Sequence, residues 1–304
     1  MIEAWARLST CRLNGSVRRD EPLARHTTYR IGGPAALYVE CDTLADVSAT
    51  FDILEDCQVE WTVLGKGSNV LASDAGYAGA VVVLGKEFKR HSLDGSRLRA
   101  GAAVILAALV QDAFSAGMTG LEFGVGIPGT LGGALVMNAG SRDEWIGEIV
   151  ESVTLYTPGV GLHSIRGHEV AWGYRSTDLA RRGVVIEASM TLEHGDATDI
   201  RRRMEAGLRR RKRTQPIGTR NAGSVFVNPE GDSAGRLIET AGMKGARRGG
   251  AQVSEIHANF IVNDGTASAD DVVGLIREVR EAVKEVHGIE LRPEVRFLGS
   301  FDTA

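Results

Sequence analysis

Residues 126–140 read GIPGTLGGALVMNAG, five glycines in fifteen positions with Pro128 stiffening the turn. Glycine has no Cβ, so it enters φ > 0 without strain and lets the backbone approach another group closely. Uncovered N–H groups in such a turn make a concave donor surface for something flat or anionic, and phosphate is its natural guest. An isolated run of this kind is as often only a turn. This one has company upstream, because TYRIGG at 28–33 and LGKGSN at 64–69 are further glycine turns, each beside an apolar segment. Three such loops in the first half of a chain point to one elongated, nucleotide-like ligand.

The segments around these loops set the fold class. Between residues 30 and 85 a strand at 36–40, a helix at 43–57 capped by Asp42 or Thr43, a short strand at 61–64 and a strand at 81–84 form a small α/β unit. A strand at 97–100 and an amphipathic helix at 105–116 lead into the glycine-rich run, and strands at 150–156 and 184–192 flank it. From Asp199 the composition changes. A very basic helix ends before Pro216, followed by turns at 218–224, a strand at 224–227, a short helix at 234–241 and a strand at 259–263. The helix at 270–287 carries Val272, Val273, Ile276, Val279, Val283 and Val286 on one face, and Gly288 ends it. The expected parts are 1–86, 87–198 and 199–304.

The totals exclude several classes. With 304 residues the chain has length for two or three cores. A net charge of −4 gives no global pull toward nucleic acid or an anionic membrane. Cys11, Cys41 and Cys57 are odd in number and widely spaced, and read as reduced thiols. The start lacks an apolar signal region, and the apolar run near 104–110 is too short to span a bilayer. A cytoplasmic protein is expected, with no membrane and no obligate protein partner. The seven histidines show no ligand spacing, so no metal is expected.

Other motifs resolve less. Gly124, Gly126 and Gly129 match the dinucleotide fingerprint, but GLEF before them is a poor strand, and the fingerprint requires one. GKGS at 65–68 lacks the P-loop spacing. The helix segment 201–213 holds eight cations, which read as a solvated face or, alternatively, as local attraction for a phosphorylated substrate. Arg175 in WGYRSTDL, Ser224 in NAGSVFVNP and Glu294 in LRPEVRFLG each have a plain structural reading when taken singly: a salt bridge, a turn, a cap.

Taken together and in order, the glycine run with its MNAG end, TYRIGG, LGKGSN, GYRS, NAGSVFVNP, GGAQVSEIHANFIVN and LRPEVRFLG resemble the UDP-N-acetylenolpyruvoylglucosamine reductases. The resemblance runs from about Thr27 to Gly299. It implies an α+β fold, with a two-part FAD-binding region of the vanillyl-alcohol-oxidase/PCMH type and a C-terminal α/β substrate domain. It also implies non-covalent FAD, NADPH as reductant, and reduction of UDP-N-acetyl-enolpyruvoylglucosamine to UDP-N-acetylmuramate in bacterial peptidoglycan synthesis. Arg30, Gly65, Gly67, Ser68 and Asn69 would line the cofactor on one side. Gly126, Pro128, Gly129, Thr130, Gly132, Asn138, Ala139 and Gly140 would line it on the other.

The same resemblance assigns catalysis to Arg175, Ser224 and Glu294, and substrate contact to Tyr174 and Asn228. Arg175 suits a developing enolate because its fork of donors is always charged. Ser224 would protonate the α-carbon, and Glu294 helps as a neutral donor or within a network. The chain departs from the pattern at Val227, where many relatives carry lysine, and in the GTR before Asn221. Arg220 and the basic helix are the candidate replacement cations. Two rivals remain: an FAD-linked oxidase of the same superfamily, and a non-enzymatic nucleotide-binding module.

Overall fold

The computed structural model describes residues 1–140 and 144–301. The chain divides into two compact units. The first comprises Met1–Arg19, Leu37–Lys66 and Gly79–Arg209, and the second Asp20–Ala36, Gly67–Ala78 and the chain from Arg210.

One four-stranded sheet has the order Ser16–Pro22, Pro34–Cys41, Tyr77–Leu84, Trp61–Val63. Its last pair is parallel, with Trp61 opposite Ala80. The helix Leu44–Asp56, which Thr43 starts with a capping box closed by Asp46, connects Pro34–Cys41 to Trp61–Val63, and residues 64–76 link the two parallel strands. Leu37, Val39 and Cys41 from the sheet and Val47, Phe51 and Leu54 from the helix form the core between them. Cys41 is a packing residue, and burial pushes its thiol up to about 12.

Asp46 does more than cap. Its buried carboxylate accepts from the Asn14 N–H at 3.0 Å, the Asn14 amide at 3.1 Å, the Asp42 N–H at 2.9 Å and the Thr43 N–H at 3.1 Å. Burial alone would raise its pKa, but the hydrogen bonds from Asn14, Asp42 and Thr43 outweigh burial and hold it below the ordinary value. A depressed folded pKa contributes stability above the unfolded value, about 3.9, and loses it as pH falls through the folded one. Asp46→Asn is expected to cost about 1–3 kcal/mol at pH 7. Urea midpoints of the two proteins should converge as pH drops below about 4, and a gap of constant size would refute this account.

A second sheet, whose strands all fall in the first unit, is antiparallel, in the order Gly161–Arg166, Val150–Thr157, Val184–Thr191, Arg97–Gly101, His91–Asp94. Its buried side chains join the same apolar cluster, and Phe51 stacks on Tyr156 at 5.8 Å. The helices Leu106–Ser115 and Leu131–Val136 pack there too. Glu122–Gly124 is a single 3-10 turn, so the glycines at 124–129 do not follow a strand.

The second unit has a core of its own. Strands Arg247–Arg248, Ala251–Val253 and Ile261–Asn263 form an antiparallel sheet. Helices Ala234–Thr240 and Ala269–His287 contribute to its cluster. The long helix starts on a Ser268–Asp271 capping box and ends at Gly288 with φ +68°. Of the expected apolar stripe, Val272, Val273, Ile276, Val279 and Val283 are buried, but Val286 is 56% exposed. It lies in the last turn, where His287 makes the contact instead, to Thr240 Oγ1 at 2.8 Å. Val70–Ala72 and Arg296–Leu298 form a separate parallel pair. Among the described residues no helix is long and apolar enough to cross a membrane. No group of three or more His, Cys, Asp or Glu among them could hold a metal ion.

Candidate active site

The turn at 64–69 is shaped by Gly67. Its φ of +63° is left-handed, and a Cβ there would stand 2.2 Å from the His26 carbonyl oxygen. Only glycine meets both conditions. Thr28 clasps it: the Thr28 N–H donates to the Gly67 carbonyl at 3.1 Å, and the Thr28 hydroxyl lies 3.2 Å from the same oxygen. Arg30, at φ +59°, closes the adjoining turn with its N–H on Thr27 O at 3.2 Å, and its guanidinium donates to Arg25 O at 3.1 Å. Ser68 and Asn69 are half-buried and lead into Val70–Ala72.

In the first unit, Gly65 faces Thr130, whose Oγ1 would lie 2.5 Å from any Cβ at that position. Gly126 and Gly129 take φ of +71° and +142° around Pro128. Past this bend the run is laced to residues 102–106. Leu106 N–H donates to Gly129 O at 3.1 Å, Leu131 N–H to Val104 O at 2.8 Å, and Gly132 N–H to Ala102 O at 2.8 Å. The N–H of Gly132 is thus already used, and what this glycine offers a ligand wall is shape. Gly65, Gly126 and Pro128 are exposed. Backbone without covering side chains is what a diphosphate and a planar ring need, so these residues fit a dinucleotide cofactor.

The MNAG end of the run holds the arginine. Asn138 is buried at φ +43°; its amide donates to Gly173 O at 3.0 Å and its Oδ1 accepts from Gly147 N–H at 3.2 Å. Ala139 is buried beside it. Gly173 and Ser176 pair with each other, N–H to O at 2.9 and 3.3 Å, leaving Tyr174 and Arg175 at the tip of a tight turn. Arg175 occupies the left-handed position, φ +54°, that such turns usually give to glycine or asparagine. Its guanidinium donates to Gly140 O at 3.2 Å and lies 5.4 Å from the ring centroid of Tyr174, which is 56% exposed.

In the second unit, Ser224 and Glu294 lie on neighbouring segments. Glu294 N–H donates to Val225 O at 2.7 Å and Val227 N–H to Arg292 O at 3.0 Å. The expected strand at 224–227 is not one: only Phe226 forms a bridge, with Pro293. A side chain takes the place of the second neighbour. The buried amide of Asn259 accepts from Phe226 N–H at 2.9 Å and donates to Phe226 O at 2.8 Å, while Asn259 O accepts from Val225 N–H at 2.8 Å. His257, whose pKa burial and then Lys244 lower, steadies that residue, its Nδ1 3.2 Å from Asn259 N–H. Asn69 donates to Glu294 O at 3.1 Å, and Arg296 N–H to Asn69 O at 3.0 Å. Asn228 Oδ1 accepts from Ala234 N–H at 3.0 Å, at the start of a helix.

Two other features lie apart from these residues, and three of the eight cations of the basic helix are held in ion pairs. In the basic helix Ala197–Thr214, Arg203 pairs with buried Glu122 at 2.6 Å, Arg202 with Asp199 at 2.8 Å and Arg209 with Glu205 at 3.1 Å. A cavity of about 460 Å³ lined by Asn14, Asp42, Thr43, Lys86, Glu87 and Arg90 contains none of the candidate residues. The helix N–H groups beside it are bonded to Glu87 and Thr43.

Comparison with known proteins decides the assignment. Residues 215–298 match the family model described as the C-terminal domain of UDP-N-acetylenolpyruvoylglucosamine reductase, and residues 35–161 match an FAD binding domain. The UDP-N-acetylenolpyruvoylglucosamine reductase of Heliobacterium modesticaldum is 45% identical over 287 residues, covering 94% of this chain and 91% of the relative. The chain belongs to the UDP-N-acetylenolpyruvoylglucosamine reductase family. The enzyme of that name from Bacillus subtilis is 39% identical, covering 94% of this chain and 95% of its own. The crystal structure of MurB from Thermus caldophilus aligns with a TM-score of 0.83 at 37% identity, over 93% of this chain and 99% of that one. A variant of Phl p 4, a glucose oxidase, shares the fold alone, with a TM-score of 0.50 and 15% identity over 64% of this chain and 44% of its own. The fold is α+β, of the vanillyl-alcohol-oxidase/PCMH type with a C-terminal domain of its own. As a family member the chain is an FAD-dependent oxidoreductase that reduces UDP-N-acetyl-enolpyruvoylglucosamine, with FAD bound non-covalently and NADPH as reductant. The oxidase and non-enzymatic readings fall away.

Proposed function

We propose that Arg175, Ser224 and Glu294 share the chemistry of this reduction, with 1–86 and 87–198 holding the cofactor and 199–304 the sugar nucleotide. The chemistry that bound FAD would supply is hydride transfer, passing the two electrons of NADPH to the β-carbon of the enolpyruvyl ether. Charge then develops toward the α-carbon and carboxylate, and Arg175 meets it with a fixed fork of donors. Ser224 gives its proton to the α-carbon, which completes addition across the double bond. A serine hydroxyl is a weak acid, but an enolate carbon is a strong enough base to take its proton. Glu294, as the neutral acid or within a network with Arg175, would stand as the donor that restores the serine proton and would regain its own from solvent.

The supporting observation is that Glu294 and the residue after Ser224 are joined by a 2.7 Å backbone hydrogen bond, which sets the two on adjacent segments. Tyr174 and Asn228 would contact the sugar nucleotide, and Arg220 would supply the cation that Val227 does not. UDP-sugar and NADPH are its only partners in this reading, and the cytoplasm its location. The purified protein should be yellow, NADPH should bleach the band, and the enolpyruvyl sugar nucleotide should restore it. A reduced spectrum that persists with that sugar nucleotide present would refute the substrate assignment.

A further inference from the structure

We infer that Thr28 is a positioning residue for Ser224, tying the placement of the proton donor to the glycine turn at 64–69. The inference rests on the reading of Ser224 given above. The Thr28 hydroxyl donates to the carbonyl of Asn221 at 2.7 Å, and the Thr28 N–H donates to the carbonyl of Gly67 at 3.1 Å. One half-buried residue therefore holds the turn assigned to the cofactor and the loop that carries the serine.

The link continues to the serine through Asn221. Its Oδ1 accepts from Gly223 N–H at 2.9 Å, and its amide nitrogen donates to Thr219 Oγ1 at 2.9 Å and Thr219 O at 3.1 Å. This is an Asx turn, in which a side chain sets the backbone two residues on. Gly223, at φ +76°, then turns the chain into Ser224. On the far side of the serine, Asn259 O holds Val225 N–H at 2.8 Å. Ser224 is thus fixed from both directions; upstream, Asn263 N–H holds Arg220 O at 2.8 Å and Thr28 holds Asn221, the residue whose side chain sets the turn into the serine. A hydroxyl that must reach a carbon within about 3–3.5 Å in good alignment is sensitive to such a tether, since a 1 Å displacement can cost on the order of 100-fold in rate.

Thr28→Val keeps the shape and removes the donor, whereas Thr28→Ser keeps the donor. Single-turnover mixing separates reduction of bound FAD by NADPH from its reoxidation by the enolpyruvyl sugar nucleotide. In Thr28→Val we expect reduction within about 2-fold of wild type and reoxidation slowed on the order of 10- to 100-fold, with a larger solvent deuterium isotope effect. Thr28→Ser should restore reoxidation to within a few-fold.

Equal losses in both half-reactions, loss of bound FAD, or no rescue by serine would each overturn the inference. Should Thr28→Val not fold, Asn221→Ala breaks the next link and must show the same selective loss; a uniform loss there refutes the idea. A wild-type enzyme that is not reoxidised by this sugar nucleotide at all would instead refute the reading of the reaction. That result is distinguishable because it precedes any variant.

Discussion

Ser224→Ala should bind FAD, accept electrons from NADPH at the wild-type rate, and be reoxidised by the enolpyruvyl sugar nucleotide about 10²- to 10⁴-fold more slowly, the range for loss of a general acid. The backbone at this position is held by groups that the substitution leaves untouched: Gly223 N–H on Asn221, Val225 N–H on Asn259 O, and Val225 O on Glu294 N–H. Folding stability should therefore shift by no more than about 0.5 kcal/mol. The two half-reactions, followed at the flavin band, make the test sharp. Slowed reduction would mean a displaced cofactor, and unchanged reoxidation would remove Ser224 from the mechanism.

Arg175→Gly should separate activity from stability. Loss of a fixed donor at a developing oxyanion costs about 10²- to 10³-fold in rate, and reoxidation should fall by that much. Stability should change little, because opposing effects are of similar size. The variant loses the hydrogen bond to Gly140 O at 3.2 Å, worth about 1 kcal/mol. It also escapes the left-handed backbone at φ +54°, which costs a non-glycine residue about 1–2 kcal/mol. Glycine's extra freedom in the unfolded chain returns part of that gain. Arg175→Ala loses the same hydrogen bond and keeps the strain, so it should be less stable than the glycine variant by about 1 kcal/mol. Equal urea midpoints for the two would show that the turn is not strained. An arginine retained where glycine sits more easily is the pattern of a residue kept for chemistry.

Much of this molecule is written in short stretches of its sequence. Thr43 followed by Asp46 starts one helix, Ser268 followed by Asp271 starts another, and Gly288 stops it. The bends at Gly67, Gly126 and Gly129 need positive φ and carry the residue that allows it. The family was legible from seven short motifs. These are matters of backbone sterics and capping within a few residues, so a local reading suffices.

Other features were decided by partners far away in the chain. Residues 224–227 have strand composition, yet the group that satisfies Phe226 on one side is the amide of Asn259, 33 residues on. Asn138 belongs to the glycine run by sequence, but its amide is committed to Gly173, 35 residues on. The need for glycine at 65 comes from the hydroxyl of Thr130. The tether from Thr28 spans 193 residues to Asn221, where only the Asn-x-Gly spacing hints at a side chain that sets a turn. Val286 fits its helical stripe by angle and is exposed, because the stripe outruns what covers it. A buried N–H or carbonyl takes whichever partner the folded chain brings within 3 Å, and no local window of sequence contains that choice.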